Sequence, residues 1–329
     1  MMLRLEIFLI NGKIPERIQN SRNKRLILRI LPANSKMLSR KGLIMGKRKG
    51  FTLVELLVVI AIIALLMSIL LPALARVKKQ AKEVMCMTQL RQWYLIFMMY
   101  TEDNDGFFHG ELGAGGKSQG WVPALRPYYT GNGKAGGSSG SESGAERDIR
   151  LCPMANRWFR SQGYTGPFAA WGIYSGGTDD EGAWWAYEGD CGSYGLNGWV
   201  CNEEPSVDDW WDQVGNLWRT PNVKNSGDVP LFMDCQWVDG WPQERNGAPW
   251  IEGEIGTYFD DAIKQFCINR HGGGTVNCLF LDGSVRKVGL KELWTLKWHR
   301  IWMVDGPMTK AGGMTRDQWP IWMRNFKDY

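Results

Sequence analysis

The chain has 329 residues and a formal net charge of +5 at neutral pH. The charge is unevenly placed, because residues 1–50 hold thirteen Lys and Arg against two Asp and Glu, whereas the remaining residues hold twenty-six against thirty-two. A nucleic-acid-binding protein normally carries its basic patch on the folded domain, and here the larger part of the chain is acidic. The composition therefore excludes nucleic acid as an expected partner.

The first predicted element is a basic leader over residues 1–50, directly before an apolar run. Basic residues in this position are typical of the cytoplasmic side of a membrane helix. Residues 1–44 carry no recognisable signal, whereas Met45 begins the compact basic sequence MGKRKG. We expect either that the true start is Met45 or that residues 1–44 form a long leader.

Residues 51–75 are predicted to form one transmembrane helix with its N-terminus inside. From Leu56 to Leu71 only Ser68 is polar, and the whole segment reaches the roughly 20 residues that span a bilayer. The sequence after the apolar core fits a signal-peptide cleavage site poorly, and a soluble core helix would show a polar face. Glu55 is the exception, since an acid at the middle of a spanning helix costs about 2.5–3.5 kcal/mol.

The sequence GFTLVE at residues 50–55, followed by the apolar helix, resembles the prepilin cleavage and methylation motif of type IV pilins and type II secretion pseudopilins. The resemblance implies that a prepilin peptidase cuts between Gly50 and Phe51 and methylates the new amino terminus at Phe51. It also implies that Glu55 pairs with the amino terminus of a neighbouring subunit, which makes two buried charges tolerable. Pilins often carry a proline in this helix, and Pro72 permits a kink or local melting.

Residues 76–103 are predicted to continue the helix in amphipathic form, because apolar residues recur at intervals of three or four. The predicted apolar face consists of Val77, Ala81, Val84, Met87, Leu90, Trp93, Phe97 and Tyr100. The sequence DNDG at residues 103–106 resembles half of a calcium loop but lacks the later acidic ligands. We interpret it as a helix stop with a terminal glycine.

Residues 104–329 are predicted to form the exported globular domain. The Gly- and Ser-rich segments 110–120 and 131–146 indicate surface loops, and residues 150–260 indicate short strands between long loops. Of the 18 tryptophans, all but Trp93 follow residue 120. Exposed tryptophans would suit glycan binding, but we expect them to build the core of a loop-rich domain.

The C-terminal third is predicted to contain a β-hairpin. Two apolar runs, residues 275–281 and 284–288, flank Asp282-Gly283, and an Asp-Gly pair between strands indicates a type I′ turn. The spacing of Leu290, Leu293, Trp294, Trp298 and Ile301 then predicts a short helix.

A second resemblance lies in the same region. Arg270-His271, a glycine run and Phe280-Leu281-Asp282-Gly283 are similar to the His-x9-Asp-Gly segment of pilin-like proteins from planctomycete and related bacteria, although ten residues separate His271 from Asp282 here. Segments 86–92 and 193–198 are also similar to that group. No role is assigned to His271, Asp282 and Gly283 beyond the turn, and we expect His271 to be a surface residue.

Seven cysteines in an exported domain predict disulfides, because export places the domain in an oxidising compartment. An odd number leaves at least one thiol free or intermolecular, and the pairing stays open. The chain has no C-x-x-C pair and only three histidines, so we predict neither a metal site nor a cofactor. The cysteines are Cys86, Cys152, Cys191, Cys201, Cys235, Cys267 and Cys278.

These expectations combine into an α+β, pilin-like fold in which the long N-terminal helix packs on an antiparallel sheet with long Trp-rich loops. We expect a structural subunit of a type IV pilus or type II secretion pseudopilus rather than an enzyme. Its expected partners are the prepilin peptidase, other subunits, the assembly platform and the inner membrane. The alternative is a membrane-tethered periplasmic or surface protein that binds glycans or acts on polysaccharide.

Overall fold

The computed structural model describes residues 51–110, 120–130, 149–158, 166–172, 190–203, 214–256 and 261–329. The chain divides into two units at residue 60, and the described part of the first unit is residues 51–60. The basic leader and most of the predicted Gly- and Ser-rich loops lie outside the described residues. The described helices are α1 (Leu53–Asp103) and α2 (Trp121–Thr130). The described strands are β1 (Arg157–Trp158), β2 (Ala169–Gly172), β3 (Cys191–Gly192), β4 (Tyr194–Asn197), β5 (Pro230–Asp234), β6 (Asp239–Gly240), β7 (Thr275–Phe280) and β8 (Val285–Gly289).

The predicted long N-terminal helix is confirmed as α1. Residues 51–81 are exposed along their whole length, and α1 is long and apolar enough to cross a membrane. A helix that is apolar on every side and unburied within its own chain requires an apolar environment outside that chain.

The second half of α1 buries one face in the domain, but this face begins later than the sequence predicted. Leu90, Trp93 and Phe97 are in the core as expected, whereas Val77 and Val84 are exposed. Ala81 is exposed as well. The predicted apolar face is therefore buried only from Cys86 onward, where the domain packs against the helix.

The helix ends as predicted at the DNDG sequence. Asp105 and Gly106 have φ angles of 54° and 81°, and the Gly106 N–H donates to the Thr101 carbonyl at 2.8 Å. A left-handed terminus of this kind satisfies carbonyls that the last helical turn leaves free.

Two sheets lie in the described part of the domain. The smaller one has the strand order β1-β2-β3, and the larger one has the order β6-β4-β5-β7-β8. In the larger sheet β4, β5, β7 and β8 pair in antiparallel fashion, but β6 runs parallel to β4. The α+β class is confirmed, while the sheets are mixed rather than purely antiparallel.

The C-terminal hairpin is confirmed, but the predicted turn type is wrong. Strands β7 and β8 pair from Thr275↔Gly289 to Leu279↔Val285. Gly283 has a φ of 81° and Asp282 does not have a positive φ, whereas a type I′ turn needs two such residues. The Gly283 N–H donates to the Phe280 carbonyl at 2.9 Å, so the connection is a three-residue loop with glycine at its left-handed position. The short helix predicted next is a five-residue 3₁₀ helix, Lys291–Thr295.

Tryptophans build the core, as expected. Ten are buried in the part of the chain that the structure describes, and only Trp250 among the described tryptophans is strongly exposed, at 78%. Eight of the buried rings donate their indole N–H to a backbone carbonyl: Trp93, Trp121, Trp171, Trp199, Trp218, Trp294, Trp298 and Trp302. Irregular loops leave carbonyls without sheet partners, and a buried carbonyl without a partner is costly. Each indole N–H thus finds an acceptor and at the same time supplies a donor to a buried carbonyl.

Candidate functional site

The N-terminal segment begins, among the described residues, at Phe51, and Gly50 lies outside them. Thr52 and Glu55 form a capping box at the start of α1. The Thr52 N–H donates to Glu55 Oε2 at 2.8 Å, and the Glu55 N–H donates to Thr52 Oγ1 at 3.2 Å. Such a pair satisfies two N–H groups that a helix start leaves free. Glu55 thus stabilises its own helix, which is a role that the sequence analysis did not consider.

Pro72 lies inside α1, which continues through it without a break. Proline has no N–H, so the helix lacks one hydrogen bond at this position. The local melting that the resemblance implies stays a prediction.

A second group of functional residues lies buried in the domain. Cys86 comes from α1, Cys152 from the segment 149–158, Asp234 from the end of β5, and His271 from the loop before β7. One ligand atom from each of the four lies within 4.8 Å of the others, and all four residues are buried. Four separate segments therefore converge on one point.

Asp234 is the centre of this cluster. Its Oδ2 accepts hydrogen bonds at 3.0 Å from His271 Nε2 and from the Asn277 N–H. Cys86 Sγ lies 3.7 Å and 3.8 Å from its two carboxylate oxygens. Cys152 Sγ lies 3.6 Å from His271 Nε2, which joins the second thiol to the same group.

Arg270 holds the other oxygen of Asp234. Its Nη1 donates to Asp234 Oδ1 at 3.0 Å and also to the Ser193 carbonyl. Its Nε donates to the Pro167 carbonyl, and its Nη2 donates to the carbonyls of Ala169 and Cys235. The guanidinium is fully buried. Its burial is tolerated because its N–H groups donate to four carbonyl oxygens and to the Asp234 carboxylate, which also balances its charge.

The charges in the cluster shift one another. Burial raises the pKa of Asp234, but the His271 and Arg270 charges outweigh it and bring that pKa to about 2. Burial lowers the pKa of His271, but Asp234 raises it to about 10. Burial raises the pKa of Cys152, whereas its hydrogen bonds with Cys86 and His271 lower it to about 6. The cluster thus favours a carboxylate, an imidazolium and one thiolate, on Cys152.

At Cys86 the net shift is in the opposite direction, because burial raises the pKa of this thiol well above its usual value. The two sulfurs are therefore inequivalent. A thiolate and a carboxylate held out of water beside a histidine form a set of donors for a metal cation once the imidazolium gives up its Nε2 proton.

The structure separates residues that the sequence had grouped. His271 is buried, at 5% exposure, which contradicts the expectation of a surface residue. Asp282 is exposed and accepts a hydrogen bond from the Ser284 N–H. Strand β7 lies between the two, and its six residues span about 20 Å. His271 therefore contacts Asp234 rather than Asp282.

The cysteines and Asp234 compare differently with the predictions made from the sequence. All seven cysteines are buried, and any disulfide stays a prediction. Asp234 was missed, although it is a lone acid that directly follows the apolar run Pro230-Leu231-Phe232-Met233. An acid at the inner end of a buried strand needs a partner, and that need was the available signal.

Comparison with known proteins gives one family match, at the N-terminus. Residues 45–71 match the prokaryotic N-terminal methylation motif. The type IV wide pilus major component PilA4 of Thermus thermophilus is 41% identical over 63 residues, which are 19% of this chain and 48% of that protein. The N-terminal segment is therefore similar to that of type IV pilins.

These matches cover a small part of the chain, since the family model spans residues 45–71 and the relative aligns with 63 residues. The matched motif contains Gly50, Phe51 and Glu55, the residues that the resemblance assigned to processing and assembly. The chain spans about half the length of the curated relative that it matches. No solved structure matches the chain.

Proposed function

We propose that the chain is a structural subunit of a type IV pilus or a type II secretion pseudopilus. A prepilin peptidase cuts after Gly50 and methylates the amino group of Phe51. The observation that carries the proposal is the first part of α1, which combines the methylation motif with a surface that is apolar on every side and exposed in the monomer.

The physical argument is that this surface has two suitable environments. In the membrane the side chains face lipid, and in a filament they face the same helices of neighbouring subunits. Each buried Leu or Ile side chain contributes about 1.5–3 kcal/mol relative to exposure in water. Transfer from lipid to a helix bundle keeps that contribution, so extraction into a filament costs little hydrophobic energy.

Glu55 distinguishes the two environments. In lipid its carboxylate has only the local bonds from Thr52. In a filament it pairs with the methylated amino group of an adjacent subunit, so each charge offsets the burial cost of the other. The acid thus favours the assembled state over the membrane pool.

The implied partners are the peptidase, other pilin or pseudopilin subunits and the assembly platform. Before assembly the chain crosses the inner membrane once, with residues 104–329 on the periplasmic side. The alternative of glycan binding draws little support from the described tryptophans, because most of them are buried and engaged with backbone carbonyls.

Mass spectrometry of the native protein tests the proposal. We expect a mature N-terminus at Phe51 that carries one added methyl group. An intact leader on protein from the native host would contradict the proposal. Recovery of the processed chain in sheared surface filaments identifies a pilus subunit, and its retention in the cell envelope identifies a pseudopilus subunit. Glycan hydrolysis by the purified chain would favour the alternative.

A further inference from the structure

We propose that Cys86, Cys152, Asp234 and His271 bind a transition-metal dication of the zinc class. The proposal is independent of the pilin function, because it concerns how the domain is held together rather than how subunits assemble. Two cysteines, one histidine and one aspartate are ligand types that zinc accepts in proteins. The four residues stand far apart in the sequence and include no C-x-x-C pair, so no local motif indicates the site.

Three of the distances between ligand atoms are close to those around a tetrahedral ion, and all four atoms lie within 4.8 Å of one another. Zinc binds sulfur at about 2.3 Å and nitrogen or oxygen at about 2.0 Å, so its ligand atoms stand about 3.3–3.8 Å apart. Cys152 Sγ is 3.6 Å from His271 Nε2, and Cys86 Sγ is 3.8 Å from Asp234 Oδ2. His271 Nε2 is 3.0 Å from Asp234 Oδ2, and this pair must open by a few tenths of an ångström to admit the ion.

The surroundings suit a buried ion. Arg270 donates to Asp234 Oδ1 and the Asn277 N–H donates to Oδ2, and such outer bonds orient a ligating carboxylate. The Cys152 N–H donates to Ser193 Oγ at 2.6 Å, which fixes the segment that carries the second thiol. Two thiolates, one carboxylate, one guanidinium and one dication sum to zero charge, which low-dielectric burial requires.

The binding reaction balances in protons. The dication displaces two protons, the thiol proton of Cys86 and the Nε2 proton that His271 shares with Asp234, because Cys152 is already a thiolate. Asp234 is already a carboxylate, and no electron is transferred. Four protein ligands leave no open position, so the ion is structural rather than catalytic. It fastens α1 to the end of β5 and to the loops that carry Cys152 and His271.

A disulfide between Cys86 and Cys152 is the competing product. Its formation would require an external oxidant to accept two electrons. It would also give no reason for His271 to lie beside Cys152 or for Asp234 to lie beside Cys86. The two products exclude each other, because a disulfide sulfur is no longer a thiolate ligand.

Metal analysis of the full chain, purified in detergent from its native host without added metal, tests the proposal. We expect about one zinc per chain, and we expect Cys152→Ser and His271→Asn to lower affinity for added Zn²⁺ at least about tenfold. Cys267→Ser is the matched control, since Cys267 is also buried but lies outside the cluster. Equal zinc content in all four proteins, or none in the wild type, would overturn the proposal.

A second measurement needs only wild-type protein, in case a variant fails to fold. Thiol alkylation mapped by peptide mass spectrometry should show Cys86 and Cys152 protected in the zinc-loaded chain and labelled after chelation, with Cys267 labelled equally in both states. Chelation should also lower the melting temperature of the wild type. A Cys86–Cys152 disulfide in native protein, or protection that chelation does not change, would overturn the proposal.

Discussion

The two halves of α1 are made for different surroundings. Residues 51–81 are exposed on every side of the helix, whereas the half from residue 82 to Asp103 buries a single face that includes Leu90, Trp93 and Phe97. Both halves are rich in apolar residues, so composition alone does not separate them. What separates them is burial, because the first half has no buried residue and the second half buries one face against the domain.

The difference shows that one helix carries two separate burial requirements. The second half satisfies its requirement within the chain, through ring contacts of Trp93 with Phe232 and Trp121. The first half buries none of its described side chains in the domain, and under the proposed function lipid or other subunits meet its requirement. Mutations in the two halves should therefore fail in different assays.

The largest expected effect is on processing of the first half. Gly50→Val should abolish cleavage, because a β-branched side chain prevents the close backbone approach that glycine allows. Intact mass measurement of protein from the native host reads this directly. Gly46→Val is the control, since it places the same side chain in the same leader away from the cut. Cleavage of Gly50→Val at the normal position would refute the assigned site.

The second prediction concerns the stability of the half of α1 that packs in the domain. Trp93→Ala should lower the free energy of unfolding by about 3–5 kcal/mol, since this fully buried ring packs in the core and its indole N–H donates to the Ile149 carbonyl at 2.9 Å. Leu95→Ala, two residues away and 61% exposed, should cost under about 0.5 kcal/mol. Denaturant unfolding of the full chain in detergent measures both. Similar losses would mean that the burial pattern of this half is wrong.

The third prediction concerns the hairpin loop that contacts the second half. A Cβ at Gly283 would lie 2.7 Å from the Tyr94 ring, at a φ of +81°. Gly283→Val should therefore destabilise the domain by about 2 kcal/mol or more, from backbone strain together with the clash.

Gly273→Val separates the two causes. Gly273 has a φ of +69° but open space around its Cβ position, so only the backbone strain applies there. Thermal melts should show a smaller loss than for Gly283→Val. If the two losses are equal, the contact with Tyr94 contributes nothing.

The smallest expected effect on stability is at Glu55. Glu55→Leu and Glu55→Gln should each change the unfolding free energy of the domain by less than about 0.5 kcal/mol, because the residue is exposed on the first half. Both should nevertheless enter filaments poorly. Glutamine can still complete the capping box, so its failure would isolate the charge. Normal incorporation of either variant would remove the proposed pairing with a neighbouring amino terminus.

The sequence was most informative where a pattern is local. The unbroken apolar run predicted α1, and the Asp-Gly pair between apolar runs predicted the hairpin, because both depend on neighbours along the chain. The turn class was wrong because two loop lengths are compatible with the same pair. The late start of the buried face was missed because periodicity does not say how far the domain reaches along the helix.

The buried cluster was beyond local reasoning. Cys86, Cys152, Asp234 and His271 come from four segments, and the contact between Asp234 and His271 spans 37 residues. Seven cysteines offered many pairings, and nothing in their spacing selected Cys86 and Cys152. The sequence resemblance grouped His271 with Asp282. Strand β7 lies between them, however, and places them at opposite ends of the hairpin.

The Arg270 guanidinium has a consequence for the order in which the domain forms. Its acceptors precede it by 35 to 103 residues, so each of its bonds closes a long loop, and long loops close late and slow folding. A chain that emerges N-terminus first presents α1, β4 and β5 before Arg270 is available to join them. The early segments must therefore wait, incompletely ordered, until the last part of the chain arrives. Premature collapse during that interval is therefore a kinetic hazard of this architecture.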